Sequence, residues 1–167
     1  KGEKSITAGG HTITGRDIKW VYHDHTGYVF LQKDGVHVSA ARQTGSWSRV
    51  YNEGSSEPIA GDVFNLWVDH GNAPVNKSYA YMILPDISAS AVAHIFHHPS
   101  LRIIQNDTML QAIQYPAKGI TQAVFYHAGK INLNKYTVLQ SASPCIVLAE
   151  QFNAGLKLVL SAPPEHG

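Results

Sequence analysis

The chain has 167 residues, of which 44% are hydrophobic and 15% are charged, and its net charge is +1 with histidine neutral. This balance predicts a folded core, because disordered chains are poor in apolar residues and rich in charge. The sequence has no block of Lys and Arg and no long apolar run. It therefore supports neither phosphate-driven binding to nucleic acid or membrane surfaces nor a membrane span.

The N-terminal segment KGEKSITAGG has no hydrophobic stretch of the kind found in signal peptides, and it does not begin with Met. We therefore expect the chain to be a fragment or a processed piece of a longer protein.

The first motif is WVYHDHTGYVFL, which groups His23, Asp24 and His25. At positions i and i+2 of a strand, the two imidazoles would share a face and could bind one metal ion. No third ligand stands nearby in the sequence. We therefore favour a hairpin that bends at Gly27, and we predict no metal site.

The next two runs, GYVFLQ and VHVSAAR, flank Lys33-Asp34-Gly35. Asp-Gly suits the positive φ angles of a tight turn, so the pattern predicts a β-hairpin here. The polar stretch RQTGSWSRVYNEGSSEPIAG follows. Its Gly, Ser and Pro content predicts a long loop, and such loops are often functional.

Trp47 lies within this stretch, in the motif GSWS. A flat apolar side chain in a Gly/Ser loop can stack on the C–H face of a pyranose, so Trp47 is the predicted carbohydrate-binding residue. The alternative is that Trp47 folds inward as a hydrophobic anchor, since tryptophan is highly buried on average.

Two further strands, DVFNLWVDHG and SYAYMILP, come next. The first has bulky residues on both faces, which predicts an interior strand rather than an edge. Its neighbours Asp69 and His70 would face opposite ways, so they do not suggest a catalytic pair.

DISASAVAHIFHHP predicts one short helix, capped by Ser88 or Ser90 and ended by Pro99. Short strands resume at Leu101. These elements predict two all-β domains joined by the helix, over residues 1–98 and 99–167. Cys145, the single cysteine, excludes an internal disulfide and is predicted to be a buried, inert thiol. A catalytic thiol is the less favoured alternative, because no basic residue is close in sequence.

Three motifs between Trp20 and Pro85 form an ordered set: W-x-x-H-D-x-x-G-Y, the GSWS loop, and LW-x-D-H-G-x-x-P followed by Y-x-Y-x-x-LP. Together they resemble the polysaccharide lyase family that includes hyaluronate, chondroitin AC/ABC and xanthan lyases. IIQNDTMLQAI and PCIVLAEQFNAGLKLVLSAPP are similar to the family's small C-terminal β-domain. The resemblance covers most of the chain, begins inside the large sandwich and stops short of the family's usual end.

This resemblance implies an all-β fold: an antiparallel β-sandwich, part of a large super-sandwich, followed by a smaller C-terminal β-sandwich domain. It implies a parent enzyme that cleaves acidic polysaccharides by β-elimination at a uronate. In the family, an Asn and a His neutralise the carboxylate and a Tyr transfers the proton. Those residues lie on an N-terminal α/α toroid, so none carries over to this chain.

We therefore expect no catalytic residue, cofactor or metal in this chain, which alone should be inactive. The expected partners are the missing toroid and, through the parent enzyme, an acidic polysaccharide. The resemblance implies a secreted or periplasmic location. Two alternatives stay open. One is a stand-alone carbohydrate-binding or adhesion module with a line of exposed aromatic residues that includes Trp47, and the other is a structural sandwich without a ligand.

Overall fold

The structure, a computed structural model, describes residues 10–15, 17–31, 35–153 and 155–162. Within them the chain forms thirteen strands and one α-helix, which confirms the predicted all-β class. It divides into two compact units, Lys1–Ala93 and His94–Gly167. The domain boundary after residue 98 stays a prediction. The one described α-helix is too short to cross a membrane.

The first unit contains six described strands in two sheets. They are β1 (His11–Gly15), β2 (Trp20–His23), β3 (Thr26–Phe30), β4 (Gly35–Gly45), β5 (Ile59–Asp69) and β6 (Tyr81–Leu84). Strands β1, β4 and β5 pair in that order and form the β4 sheet, and strands β2, β3 and β6 form the β3 sheet. All neighbouring strands are antiparallel.

The core of this unit joins the two sheets. Val36 and Val38 alternate along β4 and are buried together with Phe30 of β3. Tyr28 and Phe64 add a tilted aromatic contact, with ring centroids 6.3 Å apart. The period-two pattern of VHVSA thus places its valines inward, as predicted.

The β2–β3 hairpin turns at Asp24-His25, not at Gly27. His23 pairs with Thr26, and the two residues between them have φ angles of 43° and 56°. This is the geometry of a two-residue type I′ turn, and Asp and His tolerate the left-handed region better than most residues. His25 therefore does not share a strand face with His23. Gly27 is a strand residue, paired with Tyr22 and Leu84.

Two further predictions for this unit are wrong. Strands β3 and β4 lie in different sheets, so no hairpin pairs them, and residues 32–34 lie outside the described residues. The predicted loop over residues 42–61 is shorter, because β4 and β5 stay paired as far as Gly45 and Ile59. Backbone hydrogen bonds continue the β4–β5 pairing into a segment whose side chains are polar. An alternation of apolar and polar residues therefore does not reveal these strand ends in the sequence.

The prediction of an interior position for β5 is also wrong within the described residues. There β5 pairs only with β4 and forms an edge of the β4 sheet. The large side chains on the two faces of β5 have a different explanation. Leu66 and Val68 pack into the core, whereas Trp67 lies on the opposite face of the strand.

The short helix is confirmed as α1 (Ala89–His97). The Ser88 hydroxyl accepts a hydrogen bond from the backbone N–H of Ala91 at 3.3 Å, which is an N-cap contact. Val92 is the buried residue of the helix and lies against Gly27 of β3. Pro99 follows the helix and cannot extend it.

The second unit is a two-layer sandwich. Its strands are β7 (Arg102–Asn106), β8 (Leu110–Tyr115), β9 (Ile120–Phe125), β10 (Gly129–Asn132), β11 (Val138–Ser141), β12 (Cys145–Phe152) and β13 (Gly155–Ser161). One sheet has the order β13-β12-β9-β8-β7, and β10 and β11 form the other. The buried cluster draws Leu110, Phe125 and Val147 from the larger sheet and Ile131 and Leu139 from the smaller one.

Cys145 is buried in this cluster, as predicted, and its thiol lies 3.2 Å from the Ser141 hydroxyl. Gln114 is the main buried polar side chain. Its amide nitrogen donates to the Thr121 hydroxyl at 3.0 Å and to the Leu133 carbonyl at 2.9 Å. Its oxygen accepts from Arg102 Nε at 2.7 Å. Both the oxygen and the nitrogen of the Gln114 amide are therefore hydrogen-bonded, as is usual for buried polar groups.

Candidate functional site

Trp47 lies at the tip of the β4–β5 hairpin, in a 3-10 turn over Trp47–Arg49. Its carbonyl accepts hydrogen bonds from the backbone N–H groups of Val50 at 2.9 Å and Tyr51 at 3.1 Å. Gly54 packs tightly under the turn, since a Cβ there would lie 2.5 Å from the Trp47 carbonyl. Trp47 is 52% exposed. It is therefore not folded inward, and its role in carbohydrate binding stays a prediction.

A polar cleft of about 220 Å³ lies at the same hairpin tip. It is lined by Thr44, Gly45, Ser46, Arg49, Ser56 and Pro58. Hydroxyl groups and one guanidinium suit the recognition of sulfate or carboxylate groups. Glu53 and Glu57 belong to the same loop but do not line the cleft.

Sequence reasoning missed Arg49. Within the described part of the chain, its side chain has no ion pair or hydrogen bond, whereas the nearby Arg42 pairs with Asp62 at 3.9 Å. Its position two residues after Trp47 is the signal that was available. The tip thus combines an exposed aromatic face with an available positive charge.

The two histidines of the opening motif have different surroundings. His23 stacks on Phe64, with ring centroids 4.1 Å apart and planes 6° from parallel. His25 lies in the turn, where its carbonyl accepts from the backbone N–H of Ile87 at 3.0 Å. Among the described residues, no group of three or more His, Cys, Asp or Glu could hold a metal ion.

A second polar and aromatic cluster crosses the outer face of the β4 sheet. Thr14, His37 and Trp67 are directly paired across β1, β4 and β5. The Thr14 hydroxyl lies 3.1 Å from His37 Nδ1, and Asp69 Oδ2 lies 3.6 Å from His37 Nε2. The imidazole also stacks on the indole, with centroids 4.9 Å apart. The sequence did not reveal this cluster, because strand pairing joins residues far apart in the chain.

Asp69 therefore contacts His37 and not its neighbour His70, which agrees with the opposite faces predicted for adjacent strand residues. His70 instead lies near Tyr79, with ring centroids 5.7 Å apart. His70 and Tyr79 border an open groove of about 470 Å³ between the two sheets of the first unit. Its other walls are Tyr28, Phe30, Phe64, Leu66, Trp67, Val68, Tyr81 and Ile83.

Both parts of the chain are similar to known domains. Residues 1–95 match the model for the polysaccharide lyase family 8 super-sandwich domain, and residues 102–167 match that for the family's C-terminal β-sandwich domain. The chain is 32% identical over 145 residues to chondroitinase-AC of Pedobacter heparinus, covering 87% of this chain and 20% of that protein. It is 28% identical over 170 residues to hyaluronate lyase of Thermasporomyces composti, covering 99% and 21%.

Solved structures agree. A chondroitinase AC lyase studied with bound oligosaccharides superposes with a TM-score of 0.86 and 28% identity, over 96% of this chain and 24% of that one. The Streptomyces coelicolor A3 chondroitin AC lyase in complex with chondroitin sulphate gives a TM-score of 0.76 and 27% identity, over 95% and 21%. The chain thus spans about a fifth of the length of chondroitinase-AC and hyaluronate lyase, at 20% and 21%. It belongs to polysaccharide lyase family 8, of which it carries the super-sandwich and C-terminal β-sandwich portions.

Proposed function

We propose that this chain is the non-catalytic β-portion of a polysaccharide lyase that cleaves an acidic glycan of the hyaluronan, chondroitin sulfate or xanthan type by β-elimination. The observation that carries the proposal is the order of its two matches, super-sandwich then C-terminal β-sandwich, over residues 1–95 and 102–167. In the parent enzyme, these domains brace the catalytic toroid.

The chemistry explains why this portion is assigned no catalytic role. β-Elimination needs a carboxylate to be neutralised before the adjacent C5 proton can be removed. By resemblance to the family, the Asn, His and Tyr that do this stand on helices of the toroid. The described part of this chain has one α-helix, over Ala89–His97. We therefore assign the exposed groups of this chain to bracing the toroid and to binding the glycan. By the same resemblance, we place the parent enzyme outside the cytoplasm, secreted or periplasmic.

A chimera tests the bracing role. This chain would replace the 145 matched residues of Pedobacter heparinus chondroitinase-AC, and a truncated enzyme ending before them would be the comparison. We expect the truncated enzyme to lose thermal stability and activity on chondroitin, and the chimera to recover both. A truncated enzyme as stable and active as the intact one would contradict the bracing role.

The hairpin tip supports a second part of the proposal, direct contact with the glycan. Trp47 would stack on a sugar ring, and Arg49 would bind a carboxylate or sulfate from the cleft that it lines. The two side chains belong to one 3-10 turn, so a single sugar unit could reach both.

Binding of this chain to immobilised chondroitin sulfate and hyaluronan tests the glycan contact. Trp47→Ala should abolish binding, and Arg49→Gln should weaken it and remove most of its salt dependence. Two variants are matched controls: Tyr136→Ala removes another exposed aromatic ring, and Arg42→Gln removes a guanidinium that is already paired with Asp62. Equal losses in the controls would contradict a site at the tip.

The same experiment separates the alternative of a stand-alone binding module. Such a module would bind glycans tightly by itself. A bracing domain would add only a weak contact to the glycan that the catalytic domain of the parent enzyme binds. Tight binding by the isolated chain, together with a chimera that recovers no activity, would favour the module.

A further inference from the structure

We infer that the outer face of the β4 sheet carries a second carbohydrate site, centred on Trp67, that takes an uncharged pyranose. The site comprises the cross-strand row of Thr14, His37 and Trp67 together with Asp69 and Asn65, which flank Trp67 along β5. It lies on different residues from the hairpin tip, and it does not depend on the function proposed above.

The row holds the indole in a fixed orientation. The Thr14 hydroxyl is hydrogen-bonded to Nδ1 of His37 at 3.1 Å, and the Asp69 carboxylate lies 3.6 Å from Nε2. The imidazole plane is therefore set, and the indole of Trp67 stacks on it at an interplanar angle of 17°. His37 is mostly covered, with 19% of its side chain exposed. A rigid aromatic plane loses little conformational entropy when a ligand stacks on it.

One side of this indole stays available. Trp67 is 44% exposed, and His37 covers it from the β4 side. In the described part of the chain, no strand pairs with β5 on its other side. The indole thus offers a flat apolar surface of the kind that sugar C–H groups contact.

Polar groups stand on both sides of that surface. Asn65 and Asp69 are two residues before and after Trp67, which places each about 7 Å along the strand on the same face. The Asn65 amide already donates to the Ser39 hydroxyl at 3.4 Å, which fixes this side chain too. The Asp69 side chain is 55% exposed. A carboxylate and an amide at this spacing can bind the hydroxyls at two edges of a pyranose ring.

Charge selects the ligand. Asp69 is the one carboxylate of the site, and His37 is its only basic group. The site contains no Lys or Arg, so the Asp69 carboxylate repels uronates and sulfated sugars. The hairpin tip, with Arg49, has the opposite preference. The chain would therefore present two carbohydrate contacts, one for an acidic glycan at the hairpin tip and one for a neutral glycan at Trp67.

Titration of the 15N-labelled chain by NMR tests this inference, because Trp20, Trp47 and Trp67 give three separate indole N–H signals. At neutral pH, cellohexaose should shift the Trp67 signal and leave Trp20 unchanged, and Trp67→Ala should weaken binding about tenfold or more. A chondroitin hexasaccharide should not shift the Trp67 signal unless Asp69→Asn removes the negative charge.

Two results would overturn the inference. One is a Trp67 signal that millimolar cellohexaose does not move. The other is a shift of this signal by the acidic hexasaccharide in the unmodified chain. The titration of the unmodified chain tests the inference without any variant, so it remains decisive even if the Trp67→Ala protein does not fold. The Trp47 signal reports the hairpin tip separately.

Discussion

Gly27 of β3 lies directly beneath Val92 of α1. A Cβ atom on Gly27 would overlap the Cγ2 atom of Val92, which is fully buried. The glycine in the GYVFL run is therefore a packing residue. It lets the helix approach the strand, and neither a bend nor a positive φ angle requires it.

The first prediction follows from this contact. Gly27→Ala should reduce the free energy of unfolding by about 1–3 kcal/mol, because the added methyl group overpacks the helix–strand contact. In a Val92→Ala background the same change should be much less harmful, since the clashing methyl groups are gone. Chemical denaturation of the four proteins of this double-mutant cycle measures the coupling. Additive effects would show that Gly27 matters for another reason.

The second prediction concerns the buried amide of the C-terminal sandwich. Gln114 is 4% exposed and has three hydrogen bonds. Gln114→Leu should cost about 3 kcal/mol of stability, because it leaves the Leu133 carbonyl and the Thr121 hydroxyl without this partner. Gln111→Leu, on the opposite and exposed face of β8, is the matched control and should cost less than about 1 kcal/mol. Similar losses in thermal denaturation would refute the importance of this network.

The third prediction concerns the β7–β8 turn and its dependence on pH. The hydrogen bond from Gln105, and then those from the backbone N–H groups of Met109 and Leu110, lower the pKa of Asp107 below its ordinary value of 3.8. The folded state thus favours the ionised form. This stabilisation is fully present above pH 3.8 and is lost as the pH falls through the lowered pKa.

An NMR titration of the Asp107 carboxyl group should give a midpoint below 3.8. Asp107→Asn should flatten the acid limb of the stability curve, since the variant has no carboxyl group to protonate. An unshifted midpoint, or an acid limb unchanged in the variant, would argue against a stabilising role for this carboxylate.

The fourth prediction tests the turn at Asp24-His25. Both residues are left-handed, a conformation that Asn-Gly adopts more readily. Replacing the pair by Asn-Gly should raise stability by about 1 kcal/mol. If His23, Asp24 and His25 instead bound a metal, the replacement would destabilise the protein in the presence of zinc. Melting temperatures of both proteins, with zinc and with a chelator, distinguish the two outcomes.

Local patterns in the sequence predicted much of the fold. Ser88 and Pro99 bracket the helix because a cap and a missing N–H act within one turn of chain. The alternation in MLQAIQY marks β8, since one face is buried against a second sheet. Trp47 was predictable as a candidate because it stands in the Gly/Ser motif GSWS.

Contacts between distant residues were not predictable in this way. The pairing of β3 with β6, instead of with the next strand along the chain, depends on the whole sandwich and on no turn motif. The Asp-Gly pair was therefore misleading. His37 escaped notice for the same reason: its partners Thr14 and Trp67 are brought to it by strand register alone.

The most direct test of the central claim is a lyase assay on the chain by itself. The chain would be incubated with hyaluronan, chondroitin sulfate and xanthan, and the ultraviolet absorbance of the unsaturated product would be followed. Pedobacter heparinus chondroitinase-AC would serve as the positive control on chondroitin sulfate. We predict no increase above that of buffer on any of the three glycans. Sustained turnover by this chain alone would contradict its assignment as the non-catalytic portion of the enzyme.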